Sequence, residues 1–149
     1  MESREERAAH QRELLAKYPG CALLCLTVQL PGAEKRNALS LKIAQAGVEA
    51  VSALGPLYKE LRDLETGFEG YFIFDTEPVE LKKKAVAIED SHPLGRLFDL
   101  DVPPLDRASI GLPPRKCLLC DNQARYCMRA KTHTTQELLE KIDSLCAAY

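Results

Sequence analysis

The apolar positions along the chain change period several times, and each change marks a boundary. Residues 2–18 are rich in Arg, Glu, Ala, Gln and Leu, all good helix formers, and Pro19-Gly20 ends the helix they predict. Residues 21–30 (CALLCLTVQL) form a short apolar run with Pro-Gly on both sides, the pattern of a buried strand. Beyond Pro31-Gly32, Leu39, Ile43, Ala46 with Gly47, Ala50 and Leu54 recur in steps of three and four. They mark one face of a helix that Gly55-Pro56 stops. Leu57, Leu61 and Leu64 predict a short charged helix or turn, and the aromatic, β-branched run at 70–75 (GYFIFD) predicts a strand.

Thr76 is placed to cap a helix with Pro78 in its early turn and Val79, Ala85, Val86 and Ile88 on its inner face. Lys82-Lys83-Lys84 then lies mostly on the outer side. Residues 95–102 form the third predicted strand, and Pro103-Pro104 and Pro113-Pro114 bracket irregular chain. Thr134-Thr135-Gln136-Glu137 is a capping box opening a last helix, with Leu138, Leu139, Ile142, Leu145 and Cys146 facing inward. Strands separated by helical patterns imply one α+β domain over residues 1–149, a small mixed sheet with helices packed on it.

Composition agrees: of 149 residues, 46% are hydrophobic and 28% charged, as in soluble globular proteins. No run approaches the roughly 20 apolar residues of a membrane span. The charged start has no apolar core behind it and is not a secretory signal. The expectation is a cytoplasmic protein without a membrane partner, whose six cysteines are thiols or metal ligands rather than disulfides.

Charge is uneven. Residues 1–106 hold 13 basic and 18 acidic residues, net −5, whereas 107–133 hold six basic residues and one acid, Asp121, net +5. The basic set is Arg107, Arg115, Lys116, Arg125, Arg129 and Lys131. Such a block inside an acidic protein suits phosphates or an acidic partner, and it also fits plain solvated charge on an exposed loop and helix.

The sharpest short signal is HPLGRLFDLDV at 92–102. Residues two apart on a strand share a face, so Asp99 and Asp101 point together while Phe98, Leu100 and Val102 enter the core. Two adjacent carboxylates repel, and a Mg2+ shared with a polyphosphate resolves the repulsion. Gly95 would let a phosphate approach the backbone and Arg96 would pair with it. An acid-x-acid strand alone also describes the wet face of an ordinary sheet. The His-Pro and Gly-Arg just before it favour a site.

Cys117-x2-Cys120-x6-Cys127-x5-His133 is a second constellation. Cys-x2-Cys has the spacing of a zinc knuckle, and Cys127 with His133 would complete a Cys3His site for structural Zn2+. Irregular spacing of the second pair leaves packed core thiols as the alternative. Lys35, in the turn that leads to the second helix, is a further phosphate candidate.

Three stretches, EDSHPLGRLFDLDV (89–102), LPPRKCLLC (112–120) and CMRAKTH (127–133), carry a resemblance. The chain resembles the citrate lyase holo-acyl-carrier-protein synthase family (CitX type), also named apo-citrate lyase phosphoribosyl-dephospho-coenzyme A transferase. Leu26-Thr27-Val28 through Pro31-Gly32 and Lys35 resembles its first strand and turn, and Glu69-Gly70 its middle strand, so nearly the whole chain is covered. Ala33 departs from a usual second proline, and the segments 55–67 and 103–107 are shortened. The resemblance implies a nucleotidyltransferase-class enzyme. A serine hydroxyl on the apo acyl carrier (gamma) subunit of citrate lyase attacks 2'-(5-triphosphoribosyl)-3'-dephospho-CoA, pyrophosphate leaves and a phosphodiester remains.

Under that reading Asp99 and Asp101 hold Mg2+, and His92 is the candidate base. Lys35, Gly95, Arg96, Arg107 and Arg115 bind the substrate, while Arg125, Arg129 and Lys131 meet the carrier. By analogy, the Asp-Leu-Asp-Val strand also looks nucleotidyltransferase-like. The competing readings are a zinc-knuckle module that binds nucleic acid and an inactive carrier-protein adaptor. The absence of Trp, and Tyr126 as the sole aromatic of the basic block, argue against nucleic acid. The presence of both aspartates argues against an inactive adaptor.

Overall fold

The computed structural model describes residues 4–31 and 37–149. In chain order the elements are α1 (Arg4–Lys17), β1 (Ala22–Val28), α2 (Ala38–Ser52), β2 (Tyr58–Leu64) and β3 (Gly67–Phe74). These are followed by α3 (Pro78–Ser91), β4 (Phe98–Asp101), α4 (Ala124–Ala130) and α5 (Thr135–Ala148). The four strands form one sheet in the order β2-β3-β1-β4. Its three pairings are all antiparallel rather than mixed, and the class is α+β. Among the described residues no helix is long and apolar enough to cross a membrane.

The CALLCLTVQL run is continuous because β1 is covered on both faces. Ala22, Leu24 and Leu26 point into the larger core, with Phe72, Phe98 and Leu100 beside them and Ile43, Leu81 and Ile142 from the helices α2, α3 and α5 above. Leu23 and Cys25 point the other way, where Tyr71 and Ile73 meet Leu14 of α1. Gly47 lets α2 come close to the sheet: a Cβ there would sit 3.0 Å from a Leu26 methyl. Capping boxes at Asn37/Ser40 and at Thr134/Glu137 open α2 and α5, the second as the sequence predicts.

Several expectations are corrected. Leu57, Leu61 and Leu64 do not mark a helix. Residues 58–64 are a strand in which Tyr58, Glu60, Arg62 and Leu64 alternate with exposed Lys59, Leu61 and Asp63, and the helix-like leucine spacing is incidental. Glu77, not Thr76, is the N-cap of α3, with no side-chain cap bond, and Val79 is exposed rather than inward. The predicted strand 95–102 starts late, because Gly95–Leu97 is a 3-10 turn.

The most informative correction is Lys82, which is buried rather than outward. β4 is an edge strand, and an edge must have its outward backbone groups answered. Here α3 does so with side chains: Lys82 Nζ donates to Leu100 O at 3.0 Å, and Leu100 N donates to Glu89 Oε2 at 2.8 Å. Leu100 lies between Asp99 and Asp101, so these two bonds fix the strand at the carboxylate pair.

Candidate active site and metal centre

Asp99 and Asp101 do share a face, as strand alternation requires, with Phe98, Leu100 and Val102 buried behind them. Their cross-strand partners on β1 are Thr27 and Cys25, and one strand further lie Glu69 and Tyr71 on β3. A polar row, Glu69–Thr27–Asp99, therefore crosses the sheet beside α1. Glu69 is buried, accepts a 2.7 Å bond from Tyr71 Oη and lies 3.9 Å from Arg7 Nε. Partial removal from water pushes Asp101 up to about 6, and the Asp99 charge adds to it. A cation between the two would reverse both effects. Cys25 is pushed up to about 12, chiefly by burial and then by Asp101, so its thiol stays protonated.

A cavity of about 520 Å³ opens at the end of the sheet where β1 leaves and β4 enters. Thr27, Glu69 and Arg7 line its polar side, Arg96, Arg115 and Lys116 one wall, and Leu118, Met128, Leu138 and Ile142 its apolar side. Thr27 connects the cavity to the carboxylates, being the cross-strand partner of Asp99. The Arg96 guanidinium donates to Lys116 O, which ties the cavity wall to the strand entry. Burial and the neighbouring Arg115 charge push Arg96 below its ordinary value.

Two expected phosphate ligands are committed within the protein. Arg115 donates to the carbonyls of Gly95 (3.1 Å), Arg96 (2.8 Å) and Phe98 (2.5 Å), and to Glu89 Oε2 (3.3 Å). Arg107 donates to Glu89 Oε1 (2.8 Å), Asp90 Oδ1 (3.0 Å) and Pro113 O (3.4 Å). Glu89, only 3% exposed, is thus a hub of two guanidiniums and the Leu100 amide. Gly95 is buried for a packing reason: a Cβ there would lie 2.4 Å from Ile88 O and 2.5 Å from Glu89 O. Its missing side chain admits the end of α3, not a phosphate.

His92 is not brought to the carboxylates. It ends α3 on the helical side of the sheet, between Phe98 (4.9 Å between centroids) and Tyr149 (5.4 Å). Its Nδ1 accepts from Leu94 N at 3.0 Å, and burial lowers its pKa. Lys35 lies outside the described residues.

Cys117, Cys120, Cys127 and His133 come together as the spacing suggests, with their ligand atoms all within 4.8 Å of one another. Cys120 Sγ is 3.5 Å from Cys127 Sγ and 3.4 Å from His133 Nε2. The local turn explains why. Cys117 N donates to Asn122 O and Ala124 N to Arg115 O, closing a knuckle that leads into α4. Lys131 then adopts a left-handed conformation (φ 50°), which ends α4 and returns His133 to the cysteines. The His133 contact lowers Cys120 to about 7, whereas burial and Cys120 itself push Cys127 up. This cluster is able to hold a metal ion.

Arg125, Arg129 and Lys131 are exposed on α4 and its C-terminal turn, beside exposed Tyr126 and Met128. Sequence reasoning missed Glu89 and Lys82. The signal was present: residues 82, 85 or 86, and 89 recur at helical spacing, so two charges sit on an inward stripe. Thr27 and Arg7 carried no comparable signal.

Residues 1–149 match the family model described as apo-citrate lyase phosphoribosyl-dephospho-CoA transferase. An Escherichia coli O1:K1 protein of that name is 38% identical over 154 residues, covering 96% of this chain and 84% of the relative. A Streptococcus pyogenes serotype M18 protein named as a probable enzyme of this kind is 34% identical over 161 residues, covering 100% of this chain and 84% of the relative. Protein CitXG of Haemophilus influenzae is 37% identical over 156 residues, covering 97% of this chain, which spans only 33% of that longer protein. The Escherichia coli and Streptococcus pyogenes relatives are named as transferases, and none of the three names points to a nucleic-acid module or an inactive adaptor. By this match over its whole length, the chain belongs to the apo-citrate lyase phosphoribosyl-dephospho-CoA transferase family.

Proposed function

We propose that this transferase joins the phosphoribosyl-dephospho-CoA group to a serine hydroxyl on the acyl carrier subunit of apo citrate lyase. The donor is the triphosphate precursor. A bond forms between the serine oxygen and the phosphorus nearest the ribose, the bond from that phosphorus to pyrophosphate breaks, and the hydroxyl proton leaves to solvent. The observation that carries the reading is that Asp99 and Asp101 share a strand face beside Thr27, and Thr27 lines a cavity walled by Arg96 and Lys116.

Two carboxylates are what Mg2+ takes from protein when phosphate oxygens supply more ligands; Asp101 is raised chiefly by burial and then by the Asp99 charge, and a cation there would offset both. When bound, Mg2+ neutralises phosphate charge. Arg96 and Lys116 supply positive charge for the donor's phosphates. Arg107 and Arg115 act by positioning: through Glu89 they hold the entry to β4, and through Phe98 O Arg115 holds the strand itself. No base role is given to His92, which faces the other side of the sheet.

Cys117, Cys120, Cys127 and His133 fit Zn2+. A tetrahedral site with Zn–S of about 2.3 Å has ligand-to-ligand edges near 3.8 Å; the two Cys120 contacts are 3.5 and 3.4 Å, and all four ligand atoms lie within 4.8 Å of one another. Zinc would staple the 115–120 segment to α4 and to the start of α5. Arg125, Arg129 and Lys131 offer the carrier a basic face on that stapled unit.

The test is mass spectrometry of the apo carrier incubated with the precursor and Mg2+. The wild-type chain adds the prosthetic group, and Asp99→Asn and Asp101→Asn each abolish addition while keeping a native melting transition. Near wild-type transfer by both variants removes the carboxylates from the chemistry.

A further inference from the structure

The cavity has two chemically different sides, and their placement says which part of the donor each receives. Its polar side, Arg7, Thr27 and Glu69, belongs to the α1 face of the sheet, where Asp99 also points. Its other side holds the aliphatic chains of Leu118, Met128 of α4, and Leu138 and Ile142 of α5, with Phe68 of β3 at the sheet; Leu118, Ile142 and Phe68 pack on the helical face. Arg96 and Lys116 stand on the wall that carries both. A cavity of about 520 Å³ lies within the roughly 300–1,000 Å³ that hold one drug-sized ligand. A donor with a triphosphate, two riboses, adenine, a diphosphate and a pantetheine arm exceeds that, so only part of it is enclosed.

We propose that the aliphatic side is a subsite for the pantetheine arm of the dephospho-CoA moiety, with the donor's phosphates at Arg96 and Lys116 and its reacting end toward Thr27 and Asp99. The identity of the ligand rests on the transferase reading above; the division of the cavity rests on its lining. Two features select the arm. It is the one long, flexible, largely aliphatic part of the donor, carrying a gem-dimethyl group, and its burial against Leu118, Met128 and Leu138 is favourable by the area removed from water. The arm is also joined to the rest through a diphosphate, which requires cations at the entrance to an apolar pocket, where Arg96 and Lys116 are found. Met128, 72% exposed although it lines the cavity, is an apolar group that a bound arm would cover.

The experiment is isothermal titration of the full chain with two commercial probes, dephospho-CoA and adenosine 5'-diphosphate, which keeps both phosphates and lacks the arm. The wild type is expected to bind dephospho-CoA at least tenfold more tightly. Leu138→Ala and Met128→Ala are each expected to weaken dephospho-CoA about five- to tenfold and to leave adenosine 5'-diphosphate unchanged, since each removes two or three arm-contacting carbons. The unchanged probe also shows that the variants are folded, and Met128 is too exposed for its truncation to unfold the chain. Equal affinities for the two probes, an equal loss on both, or no binding of dephospho-CoA overturns the subsite. The carrier transfer assay separates this from the parent reading. Transfer without arm discrimination removes the subsite and keeps the enzyme, whereas arm-selective binding without transfer does the reverse.

Discussion

Removing the Glu89 carboxylate should strongly destabilise the protein, because it breaks the buried hub on the helix that backs the candidate site. Glu89 is 3% exposed and accepts from the Leu100 amide at 2.8 Å, Arg107 at 2.8 Å and Arg115 at 3.3 Å. Truncating one partner of a buried ion pair costs about 3–5 kcal/mol, because the remaining charge stays buried. Both arginines keep other acceptors, Asp90 and Pro113 O for Arg107 and three carbonyls for Arg115, which places Glu89→Ala toward the lower end of that range. In a chain of this size each kcal/mol lowers Tm by about 2–4 °C, so the variant should melt roughly 6–16 °C below wild type. Glu89→Gln keeps an acceptor for Leu100 N and loses only the charge, for about 1.5–3 kcal/mol. Calorimetric melting of the three proteins at one pH and salt provides the comparison. A Glu89→Ala chain that melts within 2 °C of wild type would refute the hub.

Other expectations follow from the same geometry. Purified protein should hold about one equivalent of zinc by elemental analysis, and Cys117→Ser should lose it and expose the 115–133 segment to protease; a metal-free, protease-resistant wild type would leave four packed side chains and no site. Asp101 has a folded-state pKa of about 6, above the usual carboxylate range, so its neutral form is the one the fold favours. Its contribution is present below about pH 4 and is lost as pH rises through about 6. The Tm of metal-free wild type should therefore fall across that window relative to Asp101→Asn, and parallel curves would contradict the assignment. In steady-state kinetics, Arg96→Ala should lower turnover at saturating carrier at any salt. Arg125→Ala should instead raise the carrier KM, by a factor that shrinks as salt rises. Turnover loss for Arg125→Ala at high salt would reverse that division.

Much of this molecule is legible in its sequence where one rule acts alone. Strand alternation places Asp99 and Asp101 together, turn spacing gathers three cysteines and His133, and a capping box starts α5. The misreadings arise where two rules compete. In 57–64 the leucines follow a helical step while the half-buried residues alternate, and pairing with β3 decides for the strand. His92 is seven residues from Asp99 in sequence, yet it closes a helix on one side of the sheet while Asp99 faces the other. Arg107 and Arg115 are basic residues in a basic block, and nothing local reveals that a glutamate at 89 claims both.

Glu89 also explains why packing and chemistry share one short stretch. Between 89 and 101 the chain ends a helix, makes a 3-10 turn and enters an edge strand. Such a strand, paired on one side only, is free to shift unless its outer edge is held. Gly95 lets the turn press against the last carbonyls of α3, and that close approach brings Leu100 within reach of Glu89 and Lys82. Arg115 closes the unit from outside by binding three carbonyls of the turn and strand, and its backbone carries on into the cavity wall and the cysteine knuckle. The carboxylate face, the cationic wall and the knuckle are therefore positioned by one connected set of bonds centred on Glu89. A perturbation at Glu89 should consequently reach all three, whereas one at exposed Arg125 should reach none.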